Sequence, residues 1–404
     1  MFPVARQPTF THSGSWARKK SITLQTRSLN PLMLRCDLMC SVGHQVAFIS
    51  IILLAGCSGC QGPSPAAAMS AIQWPEADTL FHQDPRWLGA DGAYSVPLRD
   101  GRILWLFGDT FVAKTAAHVR SESKMVRNTI AIQRGEDPTA ATMTFYWRGT
   151  EDAPESFFSE DGERWYWPGH GIRLGPALVL FFQRVKATPG RGLGFEADGW
   201  QVAIIDDASG QPLQWNVRMV PPTTAPSGIA VGAALNVDGE HIVALAQREP
   251  GNHAGFLVRW AQVDLLNGRL DMAEWWTSDR SWVGQAELRG EPSAVMANAG
   301  PESSFHFDPS NAKWVHVRSD GFGATTIVVS YSDRVEGPWS TPQVVFRPPE
   351  SDRSKILVYA AKGHPELAAG GALAIAYATN TLDDFAKLVN DTSLYYPRFV
   401  RLPK

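Results

Sequence analysis

The sequence predicts an all-β domain, and three observations lead to that prediction. From Ile72 onward, short apolar runs are broken by Gly, Pro, Asp and Asn, as in strands joined by turns. Long stretches with helical period are nearly absent, and the clearest candidate helix is TLDDFAKLV, with Thr381 as its N-cap. Finally, one strand–turn–strand pattern occurs five times.

The template for this pattern is GADGAYSVPLRDGRILWLFGDTF at residues 89–111. Two apolar runs flank the turn RDGR, in which Asp-Gly is a strong hairpin signal. Asp91 opens the first run and Asp109 closes the second. The same pattern begins again near Trp167, Gly228, Glu302 and Gly363.

Five such units, each followed by one or two further strand-like pieces, predict a five-bladed β-propeller with four-stranded antiparallel blades. In that fold each blade is covered by two neighbours, which explains why ILWLF is apolar at every position. The segment DTLFHQD, which precedes the first unit, is predicted to pair with the last unit and close the ring. A pair of β-sandwiches is the alternative architecture.

Residues 1–57 are interpreted as a leader rather than folded protein. The run VAFISIILLAGC at 46–57 is too short to span a bilayer and has the layout of a secretion signal. Its ending LAGC resembles a bacterial lipobox, which predicts lipidation of Cys57. The basic residues lie unusually far upstream, so the true start is Met33 or Met39 if the gene start is misassigned. An ordinary cleaved signal or a short membrane anchor is the alternative.

The leader implies an extracytoplasmic protein, attached by lipid to the outer membrane or cell surface of a bacterial envelope. Residues 58–74 read as a flexible tether rich in small residues, and residues 75–404 as a single domain. We expect this domain to be a monomer.

Composition excludes several classes of protein. All 4 cysteines lie in the first 60 residues, so the predicted domain has no disulfide framework and no thiolate metal site. A net charge of −3 without a basic block argues against nucleic acid as a partner. The absence of Gly-x-Ser-x-Gly and His-Glu-x-x-His motifs argues against serine hydrolases and zinc proteases. The 15 tryptophans suit a protein that stacks aromatic rings on sugars.

The five units, projected onto one face of a propeller, predict a ring of polar residues. The first strand of a unit starts, and its second strand ends, on the same face, so Asp91 and Asp109 are expected side by side. The other predicted members are Trp167, His170, Arg184, Arg248, Glu302, Arg318, His364, Glu366 and Asn380. Glycosidic cleavage needs a protonated carboxylic acid and a carboxylate, and crowded acids separate their pKa values into those roles.

The ordered words ADGAYSVPL, LWLFGDTF, WYWPGHG, SSFHFDP and GHPEL resemble a five-bladed propeller family long labelled a domain of unknown function and associated with endo-D-arabinanases. More distantly, the chain is similar to the arabinanase and β-xylosidase propellers. The resemblance covers roughly residues 75–402. It implies that Asp91 is the catalytic base or nucleophile, that Glu302 is the acid, and that His364 lies near a central cation such as calcium.

The same resemblance implies a third carboxylate from a neighbouring inner strand. Here the second unit has His170 in that place and the third has small residues, so Asp109 is the candidate to tune the acid. No other cofactor is expected. The predicted function is a lipid-anchored glycoside hydrolase acting on a furanose-containing, arabinan-like polysaccharide. The alternative is a non-catalytic glycan-binding or scaffolding lipoprotein of the same fold.

Overall fold

The computed structural model of the protein describes residues 70–189, 194–221, 223, 226–321, 325–382 and 385–403. Within these ranges the chain is mostly β-structure, as predicted. The leader, Cys57 and most of the tether lie outside the described residues. None of the helices in the described ranges has the length and apolar character that crossing a membrane requires.

The described helices are short. The three α-helices are α1 (Pro75–Asp78), α2 (Gln262–Leu266) and α3 (Phe385–Asn390). The 3-10 turns are Thr79–His82, Arg120–Glu122, Pro212–Gln214, Leu270–Met272 and Pro349–Asp352. The predicted C-terminal helix is present as α3, but Thr381 is not its N-cap, because that residue ends a strand.

The first part of the chain forms one four-stranded sheet and two smaller ones. Its strands are β1 (Ile72–Gln73), β2 (Trp87–Ala90), β3 (Tyr94–Pro97), β4 (Arg102–Phe107), β5 (Thr110–Ala113), β6 (Ser123–Val126), β7 (Thr129–Arg134), β8 (Thr142–Tyr146), β9 (Arg148–Gly149) and β10 (Pro154–Glu155). The first sheet has the order β3-β4-β7-β8, beside a three-stranded β2-β5-β6 sheet and the pair β9-β10.

The remaining strands form four antiparallel sheets. The second sheet contains β11 (Arg164–Leu174), β12 (Ala177–Ala187), β13 (Phe195–Ile205) and β14 (Val217–Val220). The third contains β15 (Ile229–Asp238), β16 (His241–Arg248), β17 (Gly255–Ala261), β18 (Glu274–Trp276), β19 (Trp282–Gly284) and β20 (Ala294–Met296). The fourth contains β21 (Ser303–Asp308), β22 (Lys313–Asp320), β23 (Thr326–Ser332) and β24 (Gln343–Phe346). The fifth contains β25 (Ile356–Ala369), β26 (Ala372–Thr381) and β27 (Arg398–Leu402), and β1 completes it.

Two predicted details are wrong. The segment DTLFHQD forms a 3-10 turn rather than a closing strand, and β1, which lies before it, pairs with β27 instead. The first strand of the fifth sheet starts at Ile356, well before the predicted start at Gly363.

The first strands of the five sheets contact one another in sequence order, and β25 also contacts β3. Hydrogen bonds join these neighbours: His170 bonds to Ser95 O at 3.1 Å and accepts from Leu235 N at 2.9 Å, and Gly363 N donates to Ser304 Oγ at 2.7 Å. Five buried apolar clusters each combine residues of two consecutive sheets, the fifth and first included. All six residues of β4 are buried, as expected for a sheet covered on both faces.

Candidate active site

Asp91 lies in a tight turn between β2 and β3, and its position depends on two glycines. Gly92 has a φ of +84°, which side chains other than glycine rarely adopt. A Cβ on Gly108 would lie 2.5 Å from Asp91 Oδ1, so glycine at 108 lets the carboxyl rest against the backbone. Because Gly108 directly precedes Asp109, Asp91 and Asp109 are neighbours at the end of the β3-β4 hairpin opposite the RDGR turn, as the sequence predicted.

The surroundings of Asp91 favour its neutral form. Its Oδ2 accepts hydrogen bonds from Tyr359 at 2.6 Å and from Tyr395 at 3.4 Å. Burial, together with the nearby charges of Asp109 and Glu302, raises the pKa of Asp91 to about 8, against the opposing effect of the Tyr359 hydrogen bond. At neutral pH, Asp91 is therefore a carboxylic acid that can donate a proton.

Asp109 is held by donors from the first two sheets. Trp167 Nε1 donates to Oδ1 at 3.0 Å, and Arg127 Nη1 donates to Oδ2 at 3.4 Å. The Arg127 guanidinium lies 4.2 Å from the centre of the Trp165 ring, which fixes its direction. Burial raises the pKa of Asp109, while Arg127 and Trp167 act in the opposite direction.

Glu302 immediately precedes β21, and its Oε1 lies 3.3 Å from Lys362 Nζ. Its side chain is 29% exposed, whereas that of Lys362 is only 2% exposed. Asp91, Asp109 and Glu302 therefore meet at the start of the five first strands, and we call this region the acid end. Its arrangement brings a neutral carboxyl close to an ion-paired carboxylate.

The three predicted arginines have other partners. Arg184 Nε donates to Asp198 O at 2.8 Å and pairs with the Asp198 carboxylate at 3.3 Å. Arg248 pairs with Glu291 at 2.8 Å. Arg318 is buried and pairs with Asp320. Each guanidinium thus has its own nearby carboxylate rather than one of the three acids at the acid end.

His170 and Asn380 occupy supporting positions. Both ring nitrogens of His170 bond to backbone atoms, Ser95 O on one side and Leu235 N on the other, so the ring joins three first strands. Asn380 Nδ2 lies 3.4 Å from the Tyr359 hydroxyl, so Asn380 contacts the acid end only through that phenol. Trp167 is the predicted binding residue that contacts the acid end directly.

His364 and Glu366 lie farther along β25, away from the acid end. With Ser95 they line a cavity of about 320 Å³ bordered by the first strands of all five sheets, and we call this region the far end. Ser95 Oγ bonds to His364 Nδ1 at 2.5 Å and to Glu366.

The cation expected near His364 stays a prediction. His364 has only one acidic neighbour there, Glu366 at 3.9 Å, and one imidazole nitrogen already bonds to Ser95. Across the described parts of the chain, no group of three or more His, Cys, Asp or Glu side chains is arranged for a metal ion.

Four residues of the acid end were missed by the sequence analysis: Arg127, Tyr359, Lys362 and Tyr395. One of them left a signal. Lys362 interrupts the apolar run ILVYAA at a position where a buried strand rarely has a charge. The two tyrosines and Arg127 left none, because each is an ordinary residue in its local pattern.

Comparisons with known proteins give a family and a fold. Residues 76–404 match the model of a family described as "Domain of unknown function (DUF5005)". No curated protein matches. A crystal structure from Bacteroides ovatus ATCC 8483, of a protein with a provisional hydrolase name, has a TM-score of 0.66 at 18% identity. The similarity covers 85% of this chain and 97% of that one, and it shows a shared fold.

Two carbohydrate-active enzymes are also among the similar structures. The catalytic domain of a GH62 α-L-arabinofuranosidase from Coprinopsis cinerea has a TM-score of 0.45 at 11% identity, covering 83% of this chain and 96% of that one. A xylan β-1,4-xylosidase from Bacillus halodurans C-125 has a TM-score of 0.43 at 8% identity, covering 75% and 51%. These similarities are too weak to support an argument about function.

Proposed function

The chain belongs to the DUF5005 family, and from that premise we propose that it is a glycoside hydrolase with its active site at the acid end. The observation that carries the proposal is the environment of Asp91. A half-buried carboxyl with a pKa raised to about 8 lies within electrostatic reach of an ion-paired glutamate. A neutral acid next to a carboxylate is the pair of groups that glycosidic hydrolysis requires.

In the proposed reaction, Asp91 donates its proton to the glycosidic oxygen as the bond from that oxygen to the anomeric carbon breaks. Glu302 either accepts a proton from the attacking water or attacks the anomeric carbon itself, after which water releases the sugar. Asp109 keeps the proton on Asp91 by repulsion between the carboxylates. This assignment exchanges the roles predicted for Asp91 and Glu302, because the surroundings keep the proton on Asp91.

The proposed architecture is a five-bladed β-propeller. Support comes from the five antiparallel sheets, from the ring of contacts among their first strands, and from the five apolar clusters between consecutive sheets. Four of these sheets have four strands, and the third has additional ones. This arrangement supports the proposed function because it brings residues 91, 109 and 302, distant in sequence, within electrostatic reach of one another.

The proposed substrate is a furanose-containing, arabinan-like polysaccharide, and the proposed protein is a monomer attached to a bacterial cell envelope through lipid on Cys57. The support for both is the sequence pattern. Metabolic labelling with a radioactive fatty acid tests the anchor. Label should enter the wild-type protein and be lost in Cys57→Ala; equal labelling of the two would rule out that cysteine.

The experiment that tests the enzyme is a screen of the purified protein against arabinans, including D-arabinan, with xylans and galactans for comparison. We expect release of reducing sugar from an arabinan by the wild type and by the control variants Asp152→Asn and Glu287→Gln, which alter exposed acids. Asp91→Asn and Glu302→Gln should release none. Tight binding of a glycan without any release would instead support the glycan-binding alternative.

A further inference from the structure

A lysine is buried beneath the acid end, on the fifth sheet. Lys362 as a whole residue is 1% exposed, and no Asp, Glu, Lys or Arg among the described residues is less exposed. Burying an ammonium group is unfavourable unless its protons find acceptors and its charge a partner. An apolar side chain of similar volume would fill the same space at lower cost, so packing does not explain the charge.

The backbone is distorted where this side chain turns inward. The pairing of β25 with β26 shifts register between Tyr359 and Lys362, and Ala360 between them has a φ of +58°. A bulge of this kind redirects a side chain, and a positive φ is unfavourable for alanine. The strand therefore adopts a strained conformation that points Lys362 at the acid end.

Three carbonyl or carboxylate oxygens from three sheets surround the ammonium group. Lys362 Nζ donates to Gly92 O at 2.6 Å, to Ala360 O at 2.9 Å and to Glu302 Oε1 at 3.3 Å. The Tyr94 ring covers the group at 4.2 Å. Since an ammonium group has three N–H donors, all are used, and the side chain links the Asp91 turn rigidly to Glu302.

We propose that Lys362 is a positioning residue of the active site, which holds Glu302 in place and ties it to the turn that carries Asp91. This inference rests on the glycoside hydrolase function proposed above. Lys362 bonds directly to Glu302, whereas at Asp91 it contacts only the backbone of the following glycine. Its charge nevertheless acts on Asp91 from that turn and lowers the pKa of the Asp91 carboxyl.

The other titratable or charged groups that face this cluster are Asp109, Arg127, Tyr94, Tyr359, Tyr395, His170 and His364. Burial raises the pKa of each of the three phenols well above 10. Burial lowers the pKa of His170 to about 4 and that of His364 well below 6.5. Between about pH 5 and pH 9 these phenols and imidazoles therefore stay neutral, so their titration does not mimic the effect of Lys362.

The test is the pH profile of kcat/KM for the wild type and four variants. Lys362→Met and Lys362→Gln remove the charge, and the glutamine amide still has two donors for the backbone carbonyls. Lys362→Arg keeps the charge. Lys313→Met is the matched control, because it removes an exposed lysine that pairs with Asp333 at 2.5 Å in the fourth sheet.

We expect the basic limb of the profile to move up in Lys362→Met and Lys362→Gln, because the proton donor Asp91 loses a nearby cation that lowers its pKa. In Lys362→Arg and Lys313→Met the basic limb should stay within about 0.3 pH units of the wild type. Unchanged limbs in folded Lys362→Met and Lys362→Gln would reduce Lys362 to a structural residue, whatever the loss in rate. Retained activity in Asp91→Asn would refute the proposed function instead.

An NMR titration of Asp91 tests the same inference without a substrate. In ¹³C-carboxyl spectra, the Asp91 signal is assigned by comparison with Asp91→Asn. Because Lys362 lowers the pKa of Asp91, its midpoint should rise above the wild-type value of about 8 in Lys362→Met and in Lys362→Gln. An unchanged midpoint in a folded charge-removing variant would overturn the inference.

Discussion

The acid end and the far end are built from the same first strands, yet they differ in the number of carboxyl groups that each brings together. At the acid end Asp91 lies within electrostatic reach of two further acids. Burial and these two charges raise the pKa of Asp91 to about 8. At the far end, Glu366 is a single acid: burial raises its pKa to about 7, and it accepts a hydrogen bond from Ser95, which acts in the opposite direction. Crowded like charges are unfavourable for stability, so the grouping of three acids at one end supports the active site proposed there.

The largest expected effect is on kcat, and it should differ between a substitution at the acid end and one at the far end. Asp91→Asn should lower kcat by about 10³-fold or more, because the variant lacks the proton donor. Glu366→Gln at the far end should change kcat by less than about threefold, since glutamine can still accept from Ser95. Initial rates on the arabinan identified by the screen provide the measurement, and similar losses in both variants would contradict the comparison.

The second prediction concerns the stability contributed by the far end rather than the activity of the acid end. Ser95→Ala leaves a buried imidazole nitrogen and a carboxyl without their shared hydroxyl, so the free energy of unfolding should fall by about 1–3 kcal/mol. Urea denaturation measures the change, with the exposed Ser278→Ala as control. An unchanged unfolding midpoint would show that the hydroxyl contributes nothing to the joint between the first and fifth sheets.

The third prediction uses the pH dependence of stability at the acid end. The folded-state pKa of Asp91 is raised to about 8 from 3.8, so the native protein holds a proton that the unfolded chain releases. Its contribution to stability is present below pH 3.8 and is lost as the pH rises toward about 8. The free energy of unfolding of Asp91→Asn should therefore rise relative to that of the wild type, by at most about 1.4 kcal/mol for each pH unit in that window.

Urea unfolding at pH 5, 6 and 7 measures this slope. The exposed Asp152→Asn is the control, and it should follow the wild type at every pH. Parallel curves for Asp91→Asn and the wild type would mean that Asp91 is ionised in the folded protein, and the proposed proton donor would be lost.

The smallest effect concerns the edge of the acid end. Trp167→Phe removes the indole donor to Asp109 but keeps an aromatic ring, so kcat/KM should fall by about 3- to 10-fold, the scale of one hydrogen bond. Trp282→Phe, in the third sheet, is the matched control. Loss of more than about 100-fold in Trp167→Phe would instead give Trp167 a direct role with substrate.

Much of the fold was readable from the sequence because its pattern repeats. The turn RDGR and the apolar runs beside it placed Asp91 and Asp109 next to each other, and the structure confirms this through Gly108. Glu302 was found because it opens the fourth repeat, and it does precede β21.

The rest of the site could not be predicted, because it depends on register. Several first strands contain irregularities, between Pro168 and Gly171, between Val231 and Ala234, and between Tyr359 and Lys362. A slip of one residue moves side chains to the other face of a sheet, so period alone cannot place Lys362 or His364. The partners of the arginines depend on side-chain reach, which the sequence pattern does not encode.

The pairing of β1 with β27 has a consequence for how the protein is made. Phe399 N donates to Asp78 Oδ1 at 2.6 Å across a separation of 321 residues, beside the two-residue β1 that completes the fifth sheet. A chain emerging from a ribosome or an export pore has these early residues available long before their partners arrive. The last sheet, and with it Lys362 and Tyr359, can therefore mature only after synthesis is almost finished. Half-made chains would therefore lack Lys362 and Tyr359 at the acid end.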